Sequence, residues 1–344
     1  MHKKIIVLLP CLFFYISIFG CDLCSIYISL DPNGSKNSFG VRYRYRIFEK
    51  DYYKESFHLI NTNQKRKVLD KHGGSNNQTI KTTEKFTFTE TYNSYDVFAN
   101  LYLNSRLQLN LSTYFSDNYI LKDDSISANI AGVGDFSVIV KYKLFNTKKC
   151  SVDSLKNKFI HRFTIGGGID LPTGHYNKST VTGFETDFKP NVILGTPIEE
   201  LDPHLQSGTG TFSYLFLMEY MTKFNKFGIN TNISYKLSTT NKNEFRFANR
   251  FNANGTLFFL TTLSTKIKLM PFIGSSYETS RRDAQNNNDV LGSGGEVLFF
   301  NGGINFFINK LSVEFSYYAP IYEDLLDDQA FNKNRMITQL AYYF

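Results

Sequence analysis

The sequence predicts an all-β fold, a transmembrane antiparallel up-and-down β-barrel of about 12 strands. Three observations support this prediction. The last ten residues alternate between two kinds of side chain and end on Phe344, the chain contains 33 Phe and 22 Tyr but no Trp, and several segments place apolar and polar residues at alternate positions. Alternation with a period of two is the pattern of a strand whose faces meet different surroundings.

The final segment shows the alternation clearly. Leu340, Tyr342 and Phe344 share one face, while Arg335 and Gln339 lie on the other. This form is typical of the closing strand of an outer-membrane barrel, in which one face meets lipid and the other meets the lumen. We therefore expect Leu340, Tyr342 and Phe344 to form a C-terminal barrel signal. The location predicted is the outer membrane of a Gram-negative cell, with lipid and the barrel-assembly machinery as partners.

The N-terminal residues predict an export signal. Lys3 and Lys4 precede an apolar stretch from Ile5 to Phe19, and Gly20 is a small residue at a plausible cleavage point. The expected organisation is a signal peptide at 1–20, a periplasmic segment at 21–37 and the barrel at 38–344. No later stretch has the roughly 20 consecutive apolar residues of a spanning helix, which argues against a helical membrane protein.

Charge and cysteine content narrow the function. The net charge is +7, or +5 without Lys3 and Lys4, and the basic residues are spread along the chain. A nucleic-acid partner is not expected, because nucleic-acid-binding arms carry their charge in blocks. Cys21 and Cys24 leave open lipid attachment, a redox site, and a local disulfide or free thiols at a periplasmic end. A zinc site lacks its second CxxC, and no His follows Cys24 to complete a haem attachment motif. Nothing in the sequence indicates a cofactor or a bound metal.

The segment 38–48 indicates most directly which face of a strand points into the barrel. Its odd positions carry large apolar residues from Phe39 to Ile47, whereas Arg42, Arg44 and Arg46 occupy the opposite face. A charge at the bilayer midplane costs about 2 to 4 kcal/mol on the lipid side of a barrel. The three arginines are therefore predicted to face the lumen.

The same alternation predicts eleven further strands. The full set covers 38–48, 86–104, 106–115, 134–145, 158–171, 207–221, 226–238, 244–257, 264–278, 294–308, 311–320 and 335–344. Links after odd-numbered strands are mostly long and polar, and links after even-numbered strands are mostly short. This rhythm is typical of outer-membrane barrels, which have long external loops and short periplasmic turns.

Three glycine patterns occur at strand ends: GVGD at 132–135, GGGIDLPTG at 166–174 and GTG at 208–210. Asp135 is interpreted as a turn former. The glycines within the strand indicate either simple barrel curvature or a kink that shapes a pore. A phosphate-binding loop is not supported, because GxxxxGK[ST] is missing. The motif residues are Gly132, Gly134, Asp135, Gly166, Gly167, Gly168, Pro172, Thr173 and Gly174.

In this order and at strand ends, the three patterns resemble those of the outer-membrane transporters grouped as the MetA-pathway phenol-degradation family. The resemblance covers the layout of residues 38–344, with sequence-specific motifs confined to 132–221. It implies a barrel that passes small molecules, among them aromatic or apolar ones.

The expected function is passive passage of small molecules through the barrel. The lumen-lining residues predicted by parity are Arg42, Arg44, Arg46, Lys141, Lys143, Arg162, Arg246, Arg250 and Glu314, together with Lys266 and Lys268. They indicate either an anion-preferring pore or a lumen closed by cross-strand pairs. An alternative is a structural or adhesive barrel that binds partners through loops 49–85 and 172–206. An outer-membrane hydrolase is a third and less favoured alternative. No catalytic residue is predicted, because no serine shares a strand face two positions from His161.

Overall fold

The computed structural model describes residues 36–60, 78–147, 159–176, 191–193, 196–197 and 202–344. The predicted signal peptide, Cys21, Cys24, Cys150 and the central parts of loops 49–85 and 172–206 lie outside these ranges. Among the described residues, no helix has the length and apolar character needed to cross a bilayer.

Twelve long strands form one antiparallel sheet. In chain order they are β1 Ser38–Ile60, β2 Gln78–Tyr102, β3 Leu107–Lys122, β4 Phe136–Asn146, β5 Phe159–Leu171, β6 Ser213–Phe224, β7 Phe227–Ser238, β8 Arg250–Phe259, β9 Ile267–Ser280, β10 Gly295–Ile308, β11 Leu311–Leu325 and β12 Phe331–Tyr343. Each strand pairs with the next one in the chain. The predicted fold class and strand number are confirmed.

The sheet closes on itself because β1 pairs with β12. Ser38 is opposite Tyr343, and the pairing continues to Glu49 opposite Phe331. The register between β8 and β9 is also continuous, from Arg250 opposite Ser280 to Phe258 opposite Phe272. A closed barrel leaves no sheet edge unpaired in lipid, where each unsatisfied backbone group costs several kcal/mol.

Side chains separate by parity as the sequence predicts. On β1, Phe39 and Val41 are more than half exposed on the outer face, while Arg42 and Arg44 are largely buried inside. On β12, Leu340 is exposed outward, and Gln339 is 1% exposed on the inner face. The outer wall is thus apolar, as a lipid-facing surface requires.

Several predicted external links are partly strand, and two of them contain long strand extensions. Link 116–133 is a hairpin, in which β3 continues to Lys122 and the chain returns as a strand at Ser125–Val133. Asp123 and Asp124 turn the chain there with positive φ angles of 47° and 65°. Likewise β1 and β2 extend well into 49–85, pairing with each other as far as Ile60 opposite Gln78. Polar composition concealed both extensions, because strands outside the membrane have no lipid-facing pattern.

Two predicted strands begin too early. Residues 207–212 precede β6 and are not strand; Ser207 and Thr211 are 1% exposed inside the barrel, and Phe212 is exposed. Residues 244–249 precede β8, and Phe245–Arg246 pairs instead with Ala284–Gln285 in a small external sheet. Arg246 is consequently exposed, and its prediction as a lumen-lining residue is wrong. Lys266 is also exposed, in the turn before β9.

The interior contains both apolar clusters and buried ion pairs. One cluster, in the external half, includes Phe48, Tyr92, Phe299 and Tyr318. A second, toward the periplasmic turns, is formed by Met221, Phe258, Met270, Phe272 and Phe307. Both lie on the inner face of the wall and narrow the space left for a path.

The ion pair between Arg335 and Glu278 is the most deeply buried of those described. Nη1 of Arg335 lies 2.8 Å from Oε2 of Glu278, and the side chains are only 5% and 2% exposed. The guanidinium also lies 4.1 Å from the ring centroid of Phe299. Burial without a partner is costly for a charge, so each member depends on the other.

We expect Glu278→Gln to lower the free energy of unfolding by about 3 to 5 kcal/mol, because it leaves the Arg335 guanidinium buried without its carboxylate. The measurement is a urea titration of the folded barrel in detergent, followed by heat-modifiable electrophoretic mobility. The matched control is Glu49→Gln, which removes the exposed pair with Lys333 and should change stability by less than about 1 kcal/mol. Equal effects of the two substitutions would contradict this reasoning.

Candidate functional site

A cavity of about 210 Å³ lies inside the barrel. It follows the part of the wall formed by β12 and by β1 to β7. Its lining begins at Ser38, Tyr102 and Tyr343, near the periplasmic turns, and extends to Asp135 and Thr209 at the external ends of their strands. The cavity therefore follows most of the depth of the wall. We call it the main cavity.

Charged side chains dominate the chemistry of the main cavity. Within the part of the chain that the structure describes, seven basic residues line it against four acidic ones, a formal excess of three positive charges. The basic residues are Lys36, Arg42, Arg44, Lys141, Lys143, Arg162 and Lys236, and the acidic residues are Asp96, Asp135, Asp170 and Glu219.

Ion pairs hold these charges in place on the wall. Asp96 accepts from both Arg42 and Arg44, at 3.2 Å and 2.8 Å. Lys236 lies 2.7 Å from Asp170, and Lys141 pairs with Glu219. Both interpretations offered by the sequence thus have a basis, since the charges pair across strands and a positive excess still faces the cavity.

The structure brings most of the predicted lumen residues together. Arg42, Arg44, Lys141, Lys143 and Arg162 line the main cavity. Arg46 and Arg250 line a smaller neighbouring cavity of about 50 Å³, which we call the upper cavity.

Glu314 also lies on the inner wall but is displaced from both cavities. It is 1% exposed and accepts hydrogen bonds from Asn305 and Ser316, each at 3.0 Å. Its position inside the barrel agrees with the predicted parity. Its contacts are those of a buried wall residue, so it does not line the main cavity.

The three glycine patterns converge on Asp135. One carboxylate oxygen accepts from the Gly174 N–H at 2.9 Å. The other accepts from the N–H of Thr209 at 2.9 Å and from its hydroxyl at 2.6 Å. Thr173 accepts from the Phe136 N–H at 2.9 Å. Segments far apart in sequence are thereby joined at the external end of β4, β5 and β6.

Close backbone contact explains the glycines at this junction. A Cβ on Gly174 would lie 2.7 Å from Cα of Gly208, and a Cβ on Gly134 would lie 2.2 Å from the Tyr114 ring. Any larger residue would force the chains apart. Gly166 and Gly168 similarly leave room for Leu217 and Ile139, which favours the structural interpretation of the glycines in β5.

Residues 202–212, which we call the inserted segment, enter this junction at Thr209, and residues 205–207 are buried inside the barrel on its external side. The Tyr114 hydroxyl donates to the Ser207 carbonyl at 2.7 Å, and Asn118 donates to the Leu205 carbonyl at 2.9 Å. The hydroxyls of Ser116 and Ser207 lie 2.8 Å apart. Three inner-face residues of β3 thus bind one side of the inserted segment.

Leu205 and His204 fix the other side of the inserted segment. Leu205 is 3% exposed and packs in the external apolar cluster with Phe48 and Phe299. Nε2 of His204 lies 2.7 Å from Oδ2 of Asp283, and Oδ1 of the same carboxylate accepts from the Ala248 N–H. Burial acts to raise the pKa of Asp283, but His204, Arg250 and the Ala248 N–H together hold that pKa below its ordinary value.

The inserted segment was missed because its contacts are remote in sequence. Thr209 and its partner Asp135 are separated by 74 positions. A local signal does exist, since Asp202 and Pro203 are typical of a helix start, and a short 3-10 helix forms at Pro203–Leu205. The Ser, Gly and Thr residues from 207 to 211 also lack apolar alternation.

The described residues contain no group of three or more His, Cys, Asp or Glu side chains placed to hold a metal ion. His161, which the sequence places within a strand, faces outward and lies 2.8 Å from the Tyr220 hydroxyl.

One solved structure supports the fold that this geometry defines. The chain is similar to the COG4313 outer membrane channel from Pseudomonas putida F1, with 14% identity, coverage of 92% of this chain and 100% of that chain, and a TM-score of 0.54. The translocator domain of the autotransporter NalP from Neisseria meningitidis gives 10% identity, coverage of 92% and 91%, and a TM-score of 0.41. No protein-family profile and no curated protein sequence matches.

This chain is an outer-membrane β-barrel protein. The evidence is the closed barrel, the apolar outer wall and the similarity of the fold to the Pseudomonas putida structure. Its location is the outer membrane, as predicted. At 14% identity the likeness extends to the fold, and membership of the MetA-pathway family stays a prediction.

We expect Gly174→Ala to lower the free energy of unfolding by about 1 to 3 kcal/mol, because the new Cβ overlaps the backbone of Gly208 and Gly134. Urea titration of the barrel in detergent measures the change. The control is Gly255→Ala, where the Cβ meets nothing within 4 Å, and its effect should stay within about 0.5 kcal/mol. A neutral Gly174→Ala would show that the junction tolerates separation of its segments.

Proposed function

We propose that this protein is a passive outer-membrane channel for small hydrophilic solutes, with a preference for anions. The observation that carries the proposal is the main cavity, which follows the wall from the periplasmic turns to the external ends of β4 and β6. Outer-membrane barrels with polar interiors commonly serve as water-filled paths.

The charge of the main cavity supports the preference for anions. Asp96 offsets part of the charge of Arg42 and Arg44, and Glu219 offsets that of Lys141. Three positive charges remain in excess among the lining residues. Rings and rows of Arg and Lys favour anions in pores, because they replace part of the interaction that the anion has with water.

The size of the path limits the solutes. The main cavity has a volume of about 210 Å³, and the upper cavity is smaller. A small carboxylate or inorganic anion suits such a space better than a large substrate. Aromatic rings of Phe98, Tyr102 and Tyr114 also line the main cavity, which is compatible with the small aromatic solutes that the MetA-pathway resemblance implies.

The likeness to a solved structure described as an outer membrane channel is consistent with this proposal. A passive channel needs no catalytic group, and we propose that the protein is not an enzyme. Solute movement then follows the concentration gradient.

A second candidate function is partner binding through the external ribbon formed by β1 and β2. From Lys50 opposite Phe88 to Ile60 opposite Gln78, these strands continue beyond the pairing of β1 with β12. At about 3.4 Å per residue the ribbon extends roughly 35 Å. Deleting residues 53–84 separates the two functions, since a channel keeps its conductance and an adhesive barrel loses cell binding.

In planar bilayers with a tenfold KCl gradient, we expect the wild-type protein to conduct with a reversal potential of the sign that indicates anion preference. The double variant Lys143→Gln, Arg162→Gln should lower the anion-to-cation permeability ratio about two- to fivefold. This corresponds to roughly 0.5 to 1 kcal/mol for charges a few ångströms from the path in a water-like dielectric.

The control for charge is Lys266→Gln, in the exposed turn before β9, which should leave the ratio near its wild-type value. Absence of any conductance from folded wild-type protein would overturn the channel proposal. A cation-preferring wild type would overturn the anion preference alone.

A further inference from the structure

The inserted segment contacts the wall at β3 and, toward the other side of the barrel, the loop that follows β9. Its Ser207 contacts Tyr114 and Ser116 on β3, while its His204 contacts Asp283 in the loop that follows β9. In the closed ring of twelve strands, β3 and β9 are six strands apart and so face each other. The inserted segment therefore occupies the middle of the cross-section.

The interior path narrows where it meets the inserted segment. The main cavity and the upper cavity share Arg44, Tyr114, Thr209 and Lys236 as lining residues. The upper cavity has a volume of only about 50 Å³, and the inserted segment forms one side of it. The lining residues from this segment are Pro203, His204, Gln206 and Gly208. A solute that travels from the main cavity toward the exterior thus meets this segment.

The two ends of the inserted segment are attached in different ways. At Thr209, the carboxylate of Asp135 holds the chain by a backbone and a side-chain hydrogen bond. The attachment at Leu205 and His204 uses an apolar side chain in a socket and the Asn118 bond to the Leu205 carbonyl. His204 adds its contact to Asp283 and edge-to-face packing against the rings of Phe245 and Phe247. The Asp135 end is the fixed anchor, because its bonds also join β4 to Gly174.

On the basis of the channel function proposed above, we propose that the inserted segment is the constriction that sets the size limit of the channel. Leu205 in its apolar socket and the contact between His204 and Asp283 form the latch that keeps it closed. Leu205 and His204 therefore determine which solute sizes can pass, whereas the charges of the main cavity determine the sign of the solute charge that is preferred.

The chemistry at Leu205 suits a closed constriction. Its neighbours include Phe48, Tyr92, Phe299 and Tyr318, so the plug and its socket are both largely apolar. Narrow apolar passages exclude water and ions by dewetting. When Leu205 leaves its socket, water fills the upper cavity and connects it to the exterior. The path for solutes then becomes wider.

Two latch variants test the proposal in planar bilayers and in liposome-swelling assays with uncharged sugars of increasing size. Leu205→Ala and His204→Ala should each raise single-channel conductance by about twofold or more and admit larger sugars, because loss of either side chain widens and wets a constriction that passes fewer ions while it is narrow and apolar. The controls remove the same side chains from the outer wall. Leu257→Ala and His161→Ala should match the wild type.

A reversible lock tests whether the segment must move. The hydroxyls of Ser116 and Ser207 are 2.8 Å apart, so cysteines at both positions are placed to form a disulfide. The double variant is made with serine at Cys21, Cys24 and Cys150. Oxidation should stop passage of the larger sugars in the Leu205→Ala background, and a reductant should restore it. Single-cysteine variants control for oxidation itself.

The outcomes separate this inference from the function on which it rests. Conductance and size limits equal to wild type in both latch variants would overturn the latch while leaving the channel intact. Passage of the same sugars by oxidised and reduced double-cysteine protein would overturn movement of the segment. No conductance from any folded variant would overturn the channel itself. Low wild-type conductance that rises in the latch variants supports both.

Discussion

Closure of the sheet is the constraint on which the rest of the structure depends. Hydrocarbon offers no hydrogen bonds to the backbone, so every strand needs a partner on both sides within the membrane. The pairing of β1 with β12 supplies the final partner, from Ser38 opposite Tyr343 onward. Once the ring is closed, alternate residues face lipid and lumen, and a charge has a favourable place only on the inner face.

The inner face then has to accommodate the charges that closure directs into it. Arg42 and Arg44 lie on adjacent inward positions of β1, where like charges repel, and Asp96 of β2 lies against both. Arg335 depends on Glu278 in the same way. The basic rows therefore require acids in the interior, and the net charge of the cavity is what remains after this pairing.

The strands of the barrel wall could be predicted from the sequence because apolar and polar residues alternate along them. Segments outside the wall lack this alternation, so their structure could not be predicted in the same way. Arg42, Lys141 and Gln339 were placed correctly because the strand period alone decides their side of the wall. Arg246 was misplaced because a two-residue external strand has the same parity as a barrel strand. The role of Asp135 in joining three segments depends on contacts with Gly174 and Thr209, which no local pattern encodes.

One part of the barrel interior is filled by apolar side chains, and the other part is a cavity. This division explains why a barrel of twelve strands needs its inserted segment. Met270, Phe272 and Phe307 fill the lumen near β9 and β10, while Arg44 and Lys141 leave a cavity along the opposite wall. A barrel of this size is intermediate between filled and open ones, so side chains alone close part of it. The remaining gap lies beside β3, where Tyr114 and Asn118 bind the inserted segment. In the proposed channel, closure of the path thus depends on a segment held by separate hydrogen bonds and contacts instead of a continuous strand ladder, which makes the constriction easier to open than the wall around it.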